Sequence, residues 1–386
     1  MAFKIHKLNE ISPVVDEIFG DNYEVSDAEP HALMLRSHKL HDHEFSKQTL
    51  AVARCGAGVN NIPVERCSKE GIVVFNTPGA NANAVKELVL CSLLLSSRKI
   101  VRAVEWANSL KGKGKEVAAL VEKGKADFAG HELAGKKLGV VGLGAIGALV
   151  ANAAEDLGMI VYGYDPFISV DAAWRLSGGI LRIKDIDRIY RECDYITLHV
   201  PYVPSNHELL RKETLAKCKA GAAVINLARG ELVSNADMLE AVASGHISRY
   251  VTDFPADELI GAENVICIPH LGASTPEAEE NCAVAAANQL KDFLEDGNIS
   301  NSVNFPQVSM PRISLIRITI IHLNIKEMIN KITAAISGRG INIENFVNAS
   351  RGEYAYTFVD IDHGDIPAIV SDIEKISGVI RIRVLR

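Results

Sequence analysis

The sequence lacks an excess of positive charge, and it also lacks any long apolar run. Its 386 residues carry a formal net charge of −7 at pH 7, and the pI is about 6.0. Proteins that bind nucleic acid or a membrane surface need a basic face, so neither partner is expected. The longest apolar stretches, such as LVLCSLLL at 88–95, are much shorter than the ~20 residues of a membrane-spanning helix. The first ten residues contain no apolar core of a signal peptide, so a cytoplasmic protein is expected.

The sequence also has few cysteines, and their spacing fits neither a disulfide framework nor a zinc site. There are seven, an odd number, and no two have C-x-x-C spacing. A secreted disulfide scaffold is therefore not predicted, and no metal is expected. We expect reduced thiols in a cytosolic protein. The cysteines are residues 55, 67, 91, 193, 218, 267 and 282.

Between about residues 30 and 280, short apolar runs alternate with longer helical patterns. Near-continuous apolar strands separated by helices are typical of parallel sheets covered on both faces. Two such series are present, and the Lys-rich helical segment 101–125 between them is interpreted as a solvated helix face. The predicted fold class is α/β, with two doubly wound parallel-sheet domains. The predicted strands are LMLR, LAVAR, IVVFN, KLGVV, IVYGY, YITLH, AAVIN, RYVTD and VICIP.

The end of the chain has a different pattern. A helical segment at about 275–295 precedes DGNISNSVNFPQVSMPR, which is rich in Asn, Ser and Pro and is predicted to be a linker. Strand and helix patterns then follow in the order β-α-β-β-α-β, which is typical of a ferredoxin-like module. The module contains no evident catalytic constellation, so a regulatory or assembly role is predicted.

A glycine-rich turn follows the predicted strand KLGVV. Gly142, Gly144 and Gly147 have G-x-G-x-x-G spacing at the start of a helix. In dinucleotide-binding folds these glycines allow a tight turn, close approach of the backbone to a pyrophosphate, and close packing of the helix on the strand. Such a turn occurs in other βα units too, but Asp165 stands eighteen residues after Gly147, at the end of the next strand. A carboxylate there accepts from the ribose hydroxyls and repels a 2′-phosphate, so NAD is predicted over NADP.

Polar residues follow three further predicted strands. Arg229 follows AAVIN, Asp253 and Glu258 follow RYVT, and His270 follows VICIP. Because ligands of open parallel sheets bind beyond the carboxyl ends of the strands, these side chains would share one cleft. Hydride transfer to or from a hydroxy acid needs a guanidinium for the carboxylate, a group for the hydroxyl proton, and a carboxylate that supports this group. Arg229, His270 and Glu258 fit these roles, although each alone could be a helix cap or an ordinary loop residue.

Several segments occur in this order along the chain: NTPGANANAVKEL, GLGAIG with YDP, CDYITLHVP, NLARGELV, the D-x-x-x-x-E of 253–258 and PHLGAST. Together they resemble the D-isomer-specific 2-hydroxyacid dehydrogenases. The resemblance covers essentially the whole chain. The segment RCGAGVNNI and the C-terminal module, which resembles an ACT domain, point within this family to 3-phospho-D-glycerate as the substrate.

The resemblance implies a domain organisation and a set of site residues. A substrate-binding domain would comprise residues 1–97 and 275–300, with a Rossmann NAD-binding domain at 98–274, a linker at 301–312 and the ACT-like domain at 313–386. Arg229, Glu258 and His270 would be catalytic. The substrate would contact Arg54, Gly56, Gly58 and Arg229, with Arg54 as the candidate for its phosphate, since phosphate needs a cation or a nest of N–H groups; a surface ion pair is the alternative for Arg54. The cofactor-binding residues would be Thr77, Gly142, Gly144, Ala145, Ile146, Gly147, Asp165, Asn206, Leu227, Ala228, Arg229, Asp253, His270, Gly272 and Ala273.

The sequence departs from the family pattern near the site. The segment DFPADEL replaces the usual D-V-F before the catalytic glutamate and lacks the usual proline after it. The loop around Glu258 is therefore expected to have a different shape. Asn206 stands where a threonine commonly touches the cofactor after LHVP.

The C-terminal module matches the effector residues of serine-inhibited relatives only in part. In those relatives a histidine and two asparagines bind L-serine, and the matching residues are His322, Asn324 and Asn342. The usual Pro-Gly that opens the following helix is replaced by Lys326 and Glu327. The module is therefore either a serine-binding domain or a dimerisation module that has lost its ligand.

The resemblance implies NAD-dependent oxidation of 3-phospho-D-glycerate to 3-phosphooxypyruvate, the first step of L-serine synthesis, by a homodimer or homotetramer. One alternative is another 2-hydroxyacid dehydrogenase, such as a hydroxypyruvate or glyoxylate reductase. The other is a non-catalytic NAD-sensing interaction protein.

Overall fold

The computed structural model describes residues 2–386, so Met1, with which the first predicted domain begins, lies outside the described residues. The chain divides into two compact units, one made of the residues up to Asn81 together with Pro276–Arg386, the other of Ala82–Thr275. No helix within residues 2–386 is long and apolar enough to cross a membrane.

Strands and helices alternate through both units, as the apolar pattern predicts. The strands are β1 Phe3–Lys7, β2 Tyr23–Val25, β3 Ala32–Leu35, β4 Ala51–Arg54, β5 Val73–Phe75, β6 Lys137–Val141, β7 Ile160–Tyr164, β8 Leu181–Arg182, β9 Tyr195–Leu198, β10 Ala222–Asn226, β11 Ile247–Thr252, β12 Val265–Cys267, β13 Ile316–Leu323, β14 Asn345–Arg351, β15 Tyr354–Ile361 and β16 Val379–Leu385. The helices are α1 Val14–Phe19, α2 Val64–Lys69, α3 Ala82–Ser97, α4 Ile100–Ser109, α5 Val117–Gly124, α6 Ala145–Asp156, α7 Val170–Ala173, α8 Ile186–Glu192, α9 Lys212–Leu215, α10 Asn235–Ala243, α11 Pro276–Asp296, α12 Met328–Ser337 and α13 Ile366–Glu374.

The first unit contains a parallel sheet of five strands in the order β2-β1-β3-β4-β5. Its central strand, β3, is apolar throughout and all four of its residues are buried, as is typical of a parallel sheet covered on both faces. Helix α11 packs on this sheet through Leu290 and Phe293, and the Phe293 ring lies 5.6 Å from that of Phe75. The helix predicted after residue 275 therefore lies in the first unit.

The C-terminal module has the predicted β-α-β-β-α-β order and forms an antiparallel sheet, β14-β15-β13-β16. One face carries Ile318 and Ile320 and packs under α12 and α13. The opposite face carries Tyr356 and Phe358, which belong to the same hydrophobic core as α11 and the parallel sheet of this unit. The module is therefore part of the core of the first unit.

The segment 301–312, expected to be a linker, contributes buried residues to this core. Phe305 is fully buried and Val308 nearly so. Asn304 Oδ1 accepts from Val74 N at 2.9 Å, and its Nδ2 donates to Ile72 O at 2.9 Å. The polar residue Asn304 thus does not indicate a solvated linker, because its side-chain amide forms hydrogen bonds with backbone groups of β5 and of the residue before β5.

The second unit contains a seven-stranded parallel sheet in the order β12-β11-β10-β9-β6-β7-β8. This is the doubly wound arrangement predicted for a Rossmann domain, with β6 next to the point where the strand order reverses. Helix α3, expected in the substrate domain, is grouped with this unit. Its residues Val85, Val89 and Leu93 share a core with Leu138 and Val140 of β6, because they recur every four residues on one helix face.

Candidate active site

The glycine-rich turn has the geometry expected of a pyrophosphate site. Gly142 has a φ of 95°, and a Cβ at Gly147 would lie 1.9 Å from Gly142 O, so both positions require glycine. Helix α6 begins at Ala145, directly after Gly144, and no side chain within residues 2–386 caps its first turn. The N–H groups of Ala145, Ile146 and Gly147 therefore face the turn, where they can bind an anion.

Asp165 is fixed at the end of β7, beside this turn. Its Oδ2 accepts from Leu143 N and its Oδ1 from Phe167 N, both at 2.9 Å. The half-buried carboxylate is thus tied to the glycine-rich turn itself. This is the position at which a carboxylate discriminates between the ribose hydroxyls of NAD and the phosphate of NADP.

The turn that carries Arg229 is shaped by a buried asparagine. Asn226, the last residue of β10, is fully buried; its Oδ1 accepts from Ala228 N at 3.2 Å and its Nδ2 donates to Arg229 O at 2.9 Å. Leu227 points into the core, whereas the Arg229 side chain is exposed. Sequence reasoning did not single out Asn226, although an asparagine that ends a wholly apolar strand is a signal for a side chain that caps a turn.

Asp253 lies at the end of β11 and is 1% exposed. Its Oδ1 has no hydrogen-bond partner within the described chain. Burial raises the pKa of Asp253, while electrostatic interactions with His270 and Arg229 act in the opposite direction. The structure therefore brings Asp253, His270 and Arg229 within electrostatic reach of one another, and the unpartnered oxygen is available to a donor such as a carboxamide.

His270 itself is exposed, and its ring packs edge-on against Phe254 with 5.0 Å between centroids. Gly272, two residues later, is buried where a Cβ would lie 3.4 Å from Val85 and 3.7 Å from Asp253 Oδ2. Ala273 follows it and is half-buried. The small residues after His270 thus allow this segment to lie close to Asp253.

Glu258, the predicted partner of His270, is bonded elsewhere. It is exposed, and its Oε1 accepts from Asn235 Nδ2 at 2.8 Å, which lowers the pKa of Glu258. Within residues 2–386 no ion pair joins Glu258 to His270 at 4.0 Å or less. The DFPADEL loop therefore places Glu258 beside Asn235, the first residue of α10.

Two further residues that were predicted to line the cofactor form hydrogen bonds with the backbone of loops. Asn206 Oδ1 accepts from Val203 N and its Nδ2 donates to Pro201 O, both at 2.8 Å, which shapes the loop after β9. Thr77 belongs to the first unit, where its buried Oγ1 accepts from Gly56 N at 2.7 Å.

In the first unit, Arg54 ends β4 and folds back over the glycines that follow it. A Cβ at Gly56, which has a φ of 147°, would lie 2.4 Å from Arg54 Nη1, and one at Gly58 would lie 3.7 Å from it. Arg54 Nε donates to Arg36 O at 3.2 Å. Arg36 follows the neighbouring strand β3, and Leu35 is in register with Arg54. Sequence reasoning missed Arg36, yet LMLR and AVAR both end in arginine, which is a signal for two guanidinium groups at one sheet edge.

The three predicted effector residues bond to different partners. His322 is 2% exposed; its Nδ1 donates to Leu323 O, and its Nε2 lies 2.8 Å from Thr357 Oγ1. Asn324 Nδ2 donates to Gly352 O at 3.2 Å, and the exposed Asn342 donates to Glu344 Oε1 at 3.0 Å. Within the part of the chain that the structure describes, no hydrogen bond joins these three side chains to one another.

Comparison with known proteins is consistent with this geometry. The family model described as the NAD binding domain of D-isomer specific 2-hydroxyacid dehydrogenases matches residues 91–272. The chain is 32% identical over 360 residues to the D-3-phosphoglycerate dehydrogenase of Haemophilus influenzae, covering 89% of this chain and 82% of that protein. It is 37% identical over 262 residues to the rat protein of the same name, covering 66% of this chain and 46% of the relative. The chain thus spans about half the length of several curated relatives that it matches.

Solved structures show the same fold. NAD⁺-bound 3-phosphoglycerate dehydrogenase of Entamoeba histolytica is 26% identical and superposes with a TM-score of 0.60, covering 79% of this chain and 99% of that one. Holo D-mandelate dehydrogenase of Rhodotorula graminis gives a TM-score of 0.67 at 21% identity, over 81% of this chain and 100% of that one. The second likeness concerns the fold alone.

Proposed function

The chain belongs to the D-isomer-specific 2-hydroxyacid dehydrogenases, an NAD-dependent oxidoreductase family, and we propose that it oxidises 3-phospho-D-glycerate to 3-phosphooxypyruvate, the entry to L-serine synthesis. The observation that supports this choice of substrate is the pair of arginines Arg36 and Arg54, which stand at the ends of two adjacent strands of the first unit. A plain 2-hydroxy acid has one carboxylate, for which Arg229 suffices. Two additional guanidinium groups suit a phosphate, which arginine binds with several charge-assisted hydrogen bonds. Relatives named D-3-phosphoglycerate dehydrogenase support this assignment.

The cofactor is NAD, and the residues present fit it. The turn of Gly142, Gly144 and Gly147 would take the pyrophosphate, Asp165 the adenosine ribose, and the unpartnered Asp253 Oδ1 the carboxamide of the nicotinamide. When bound, NAD supplies the acceptor for the hydride that leaves carbon 2 of the hydroxy acid.

The chain's own residues would orient the substrate and move its proton. Arg229 would hold the substrate carboxylate with two parallel N–H donors. His270 would take the proton of the 2-hydroxyl, a role that histidine fills more often than any other side chain. Glu258 would support the resulting imidazolium after exchanging Asn235 for His270, since catalytic hydrogen bonds often form fully only in the reacting complex.

Reduction of three ketones tests this proposal. NADH consumption is measured with 3-phosphooxypyruvate, hydroxypyruvate and 2-oxoglutarate, for the unchanged chain and for Arg54→Ala. A strong preference for the phosphorylated ketone, reduced by Arg54→Ala, is expected. A preference for hydroxypyruvate would favour the hydroxypyruvate reductase alternative. Binding of NADH without reduction of any ketone would favour the NAD-sensing alternative.

Serine inhibition, a homodimer or homotetramer, and a cytoplasmic location stay predictions. Binding of L-serine through His322 would require the contact of His322 with Thr357 to be exchanged for one with the ligand. Titration with L-serine, compared with His322→Ala, tests the effector site; a response that His322→Ala leaves unchanged would remove His322 from it.

A further inference from the structure

One asparagine side chain holds the loop that carries Arg36. Asn9 follows β1, and its Oδ1 accepts from the backbone N–H groups of Arg36, Ser37 and His38 at 2.8, 3.1 and 3.1 Å. Successive N–H groups that converge on one point form a nest, a backbone geometry that binds anions. In this protein the occupant of the nest is an uncharged amide oxygen.

The carbonyl groups of the same loop are fixed from the other side. Asn61 Nδ2 donates to Arg36 O at 3.2 Å and to His38 O at 2.7 Å. Arg54 Nε donates to the same Arg36 O at 3.2 Å. Asn61 is 8% exposed, so this support is nearly buried. The backbone of the loop and the guanidinium of Arg54 are therefore positioned together.

We propose that Asn9 is a positioning residue for the phosphate of the substrate: it fills the nest of residues 36–38 with an uncharged acceptor and thereby fixes the spacing of Arg36 and Arg54. The backbone N–H groups are already bonded inside the loop, whereas the ion pair of Arg36 with Glu279 is partly exposed and exchangeable. The phosphate is therefore bound by the two guanidinium groups. An uncharged occupant also avoids placing a negative charge beside the phosphate dianion. This inference rests on the proposed function, since it assumes that these two arginines bind a phosphate.

Two variants of Asn9 separate position from charge. Asn9→Ala removes the acceptor, so the loop loses its anchor; KM for 3-phosphooxypyruvate should rise about 10-fold, as for the loss of one charge-assisted hydrogen bond. KM for hydroxypyruvate and both kcat values should stay within about twofold, since the loop would act on the phosphate alone. Asn9→Asp keeps an acceptor but adds a charge, so its increase in KM for the phosphorylated ketone should shrink as salt is added.

A matched control is Asn298→Ala. Asn298 also ties a loop of the first unit through both ends of its amide, accepting from Met310 N and donating to Asp292 Oδ1. Its removal should lower the thermal unfolding midpoint and leave the ratio of the two KM values unchanged. If Asn9 had only a structural role, Asn9→Ala would, like Asn298→Ala, lower the unfolding midpoint and leave the ratio of the two KM values unchanged.

Several outcomes would overturn the inference. If Asn9→Ala lowers KM for the phosphorylated ketone, the nest itself binds the phosphate. If it raises both KM values equally, Asn9 has only a structural role, and if Asn9→Asp matches the unchanged chain at low salt, the charge of the occupant is irrelevant. If the unchanged chain shows no preference for the phosphorylated ketone, the proposed function fails and this inference with it. The first three outcomes leave the proposed function intact.

Discussion

Arg36 Nη1 lies 2.6 Å from Glu279 Oε1, so the arginine that follows β3 is paired with a carboxylate of the first turn of α11. Both side chains are partly exposed, at 39% and 46%. Exposed ion pairs contribute only about 0–1 kcal/mol, so a phosphate that binds Arg36 can replace the glutamate. The carboxylate would then remain near a bound dianion and repel it. Glu279 is therefore expected to compete with the substrate for Arg36.

Glu279→Gln should increase the affinity for the phosphorylated substrate. We expect KM for 3-phosphooxypyruvate to fall about 2- to 5-fold, as for the loss of one exposed ion pair, with kcat unchanged in steady-state assays. Glu280→Gln is the control, because it removes the same charge from the adjacent exposed position of α11. An increase of KM in Glu279→Gln would show that the glutamate orients Arg36 and does not compete for it.

Asp253→Asn should stabilise the fold in a pH-dependent way. Burial raises the pKa of Asp253 above its unfolded value of about 3.9, so its contribution to the unfolding free energy is present below that value and is lost as pH rises through the folded pKa. Asparagine does not titrate. The variant should therefore resemble the unchanged chain near pH 3 and be more stable at pH 7, as measured by urea denaturation across this range.

Glu258→Gln provides a control of opposite sign. The hydrogen bond from Asn235 lowers the pKa of Glu258, so its contribution is present above the unfolded pKa and is lost as pH falls through the folded one. The stability of Glu258→Gln relative to the unchanged chain should fall slightly between acid and neutral pH. If Asp253→Asn followed the same trend, the carboxylate of Asp253 would be better solvated than its 1% exposure indicates.

The strand ends of the site were predictable, whereas the bonds between loops were not. Arg229, Asp253 and His270 each follow an apolar strand, and parallel sheets gather such ends at one edge. The bond of Glu258 to Asn235 joins residues 23 positions apart, and the bond of Asn9 to the loop of Arg36 spans 27. Such contacts depend on the path of irregular backbone, which hydrophobic periodicity does not describe.

The fold was predictable to a similar extent. The period-2 and apolar patterns identified the strands and the β-α-β-β-α-β module, because side-chain burial follows directly from them. The pattern did not reveal that both faces of the C-terminal sheet are covered. The face with Tyr356 and Asp360 also contains Arg317, which is fully buried. A sequence pattern predicts that a charged residue inside a strand is exposed, because its buried partner lies far along the chain.

Arg317→Met should destabilise the first unit strongly. The guanidinium forms two bonds with Asp360, at 2.7 and 2.9 Å, and donates to the carbonyls of Asp296, Met310 and Pro311. Removal of one partner of a buried pair costs about 3–5 kcal/mol, because the other charge stays buried and unpaired. The unfolding free energy from urea denaturation should fall by about this amount.

The double variant Arg317→Met with Asp360→Leu should regain part of this loss, since no uncompensated charge remains. Arg339→Met is the control, because its ion pair with Asp372 is more than one-third exposed on both sides and should contribute less than about 1 kcal/mol. If Arg317→Met lowered the unfolding free energy by less than about 1 kcal/mol, Asp360 would be protonated or hydrated in the folded protein.

Glu327→Gly should stabilise the C-terminal module. Glu327 precedes α12 with a φ of 66° and a ψ of 0°, a left-handed conformation that costs a residue with a Cβ about 1–2 kcal/mol. Glycine adopts it freely, although it loses more entropy on folding, and the weak pair of Glu327 with Lys331 at 3.7 Å is removed. A net gain of about 0.5–1 kcal/mol in the unfolding free energy from urea denaturation is therefore expected.

Lys331→Gly, inside the same helix, is the control. Its unfolding free energy should fall by about 1 kcal/mol, since the backbone of Lys331 is already helical. If both substitutions destabilised the protein, the left-handed conformation of Glu327 would be unstrained, and the replacement of the family's glycine at this position would have no cost for the fold.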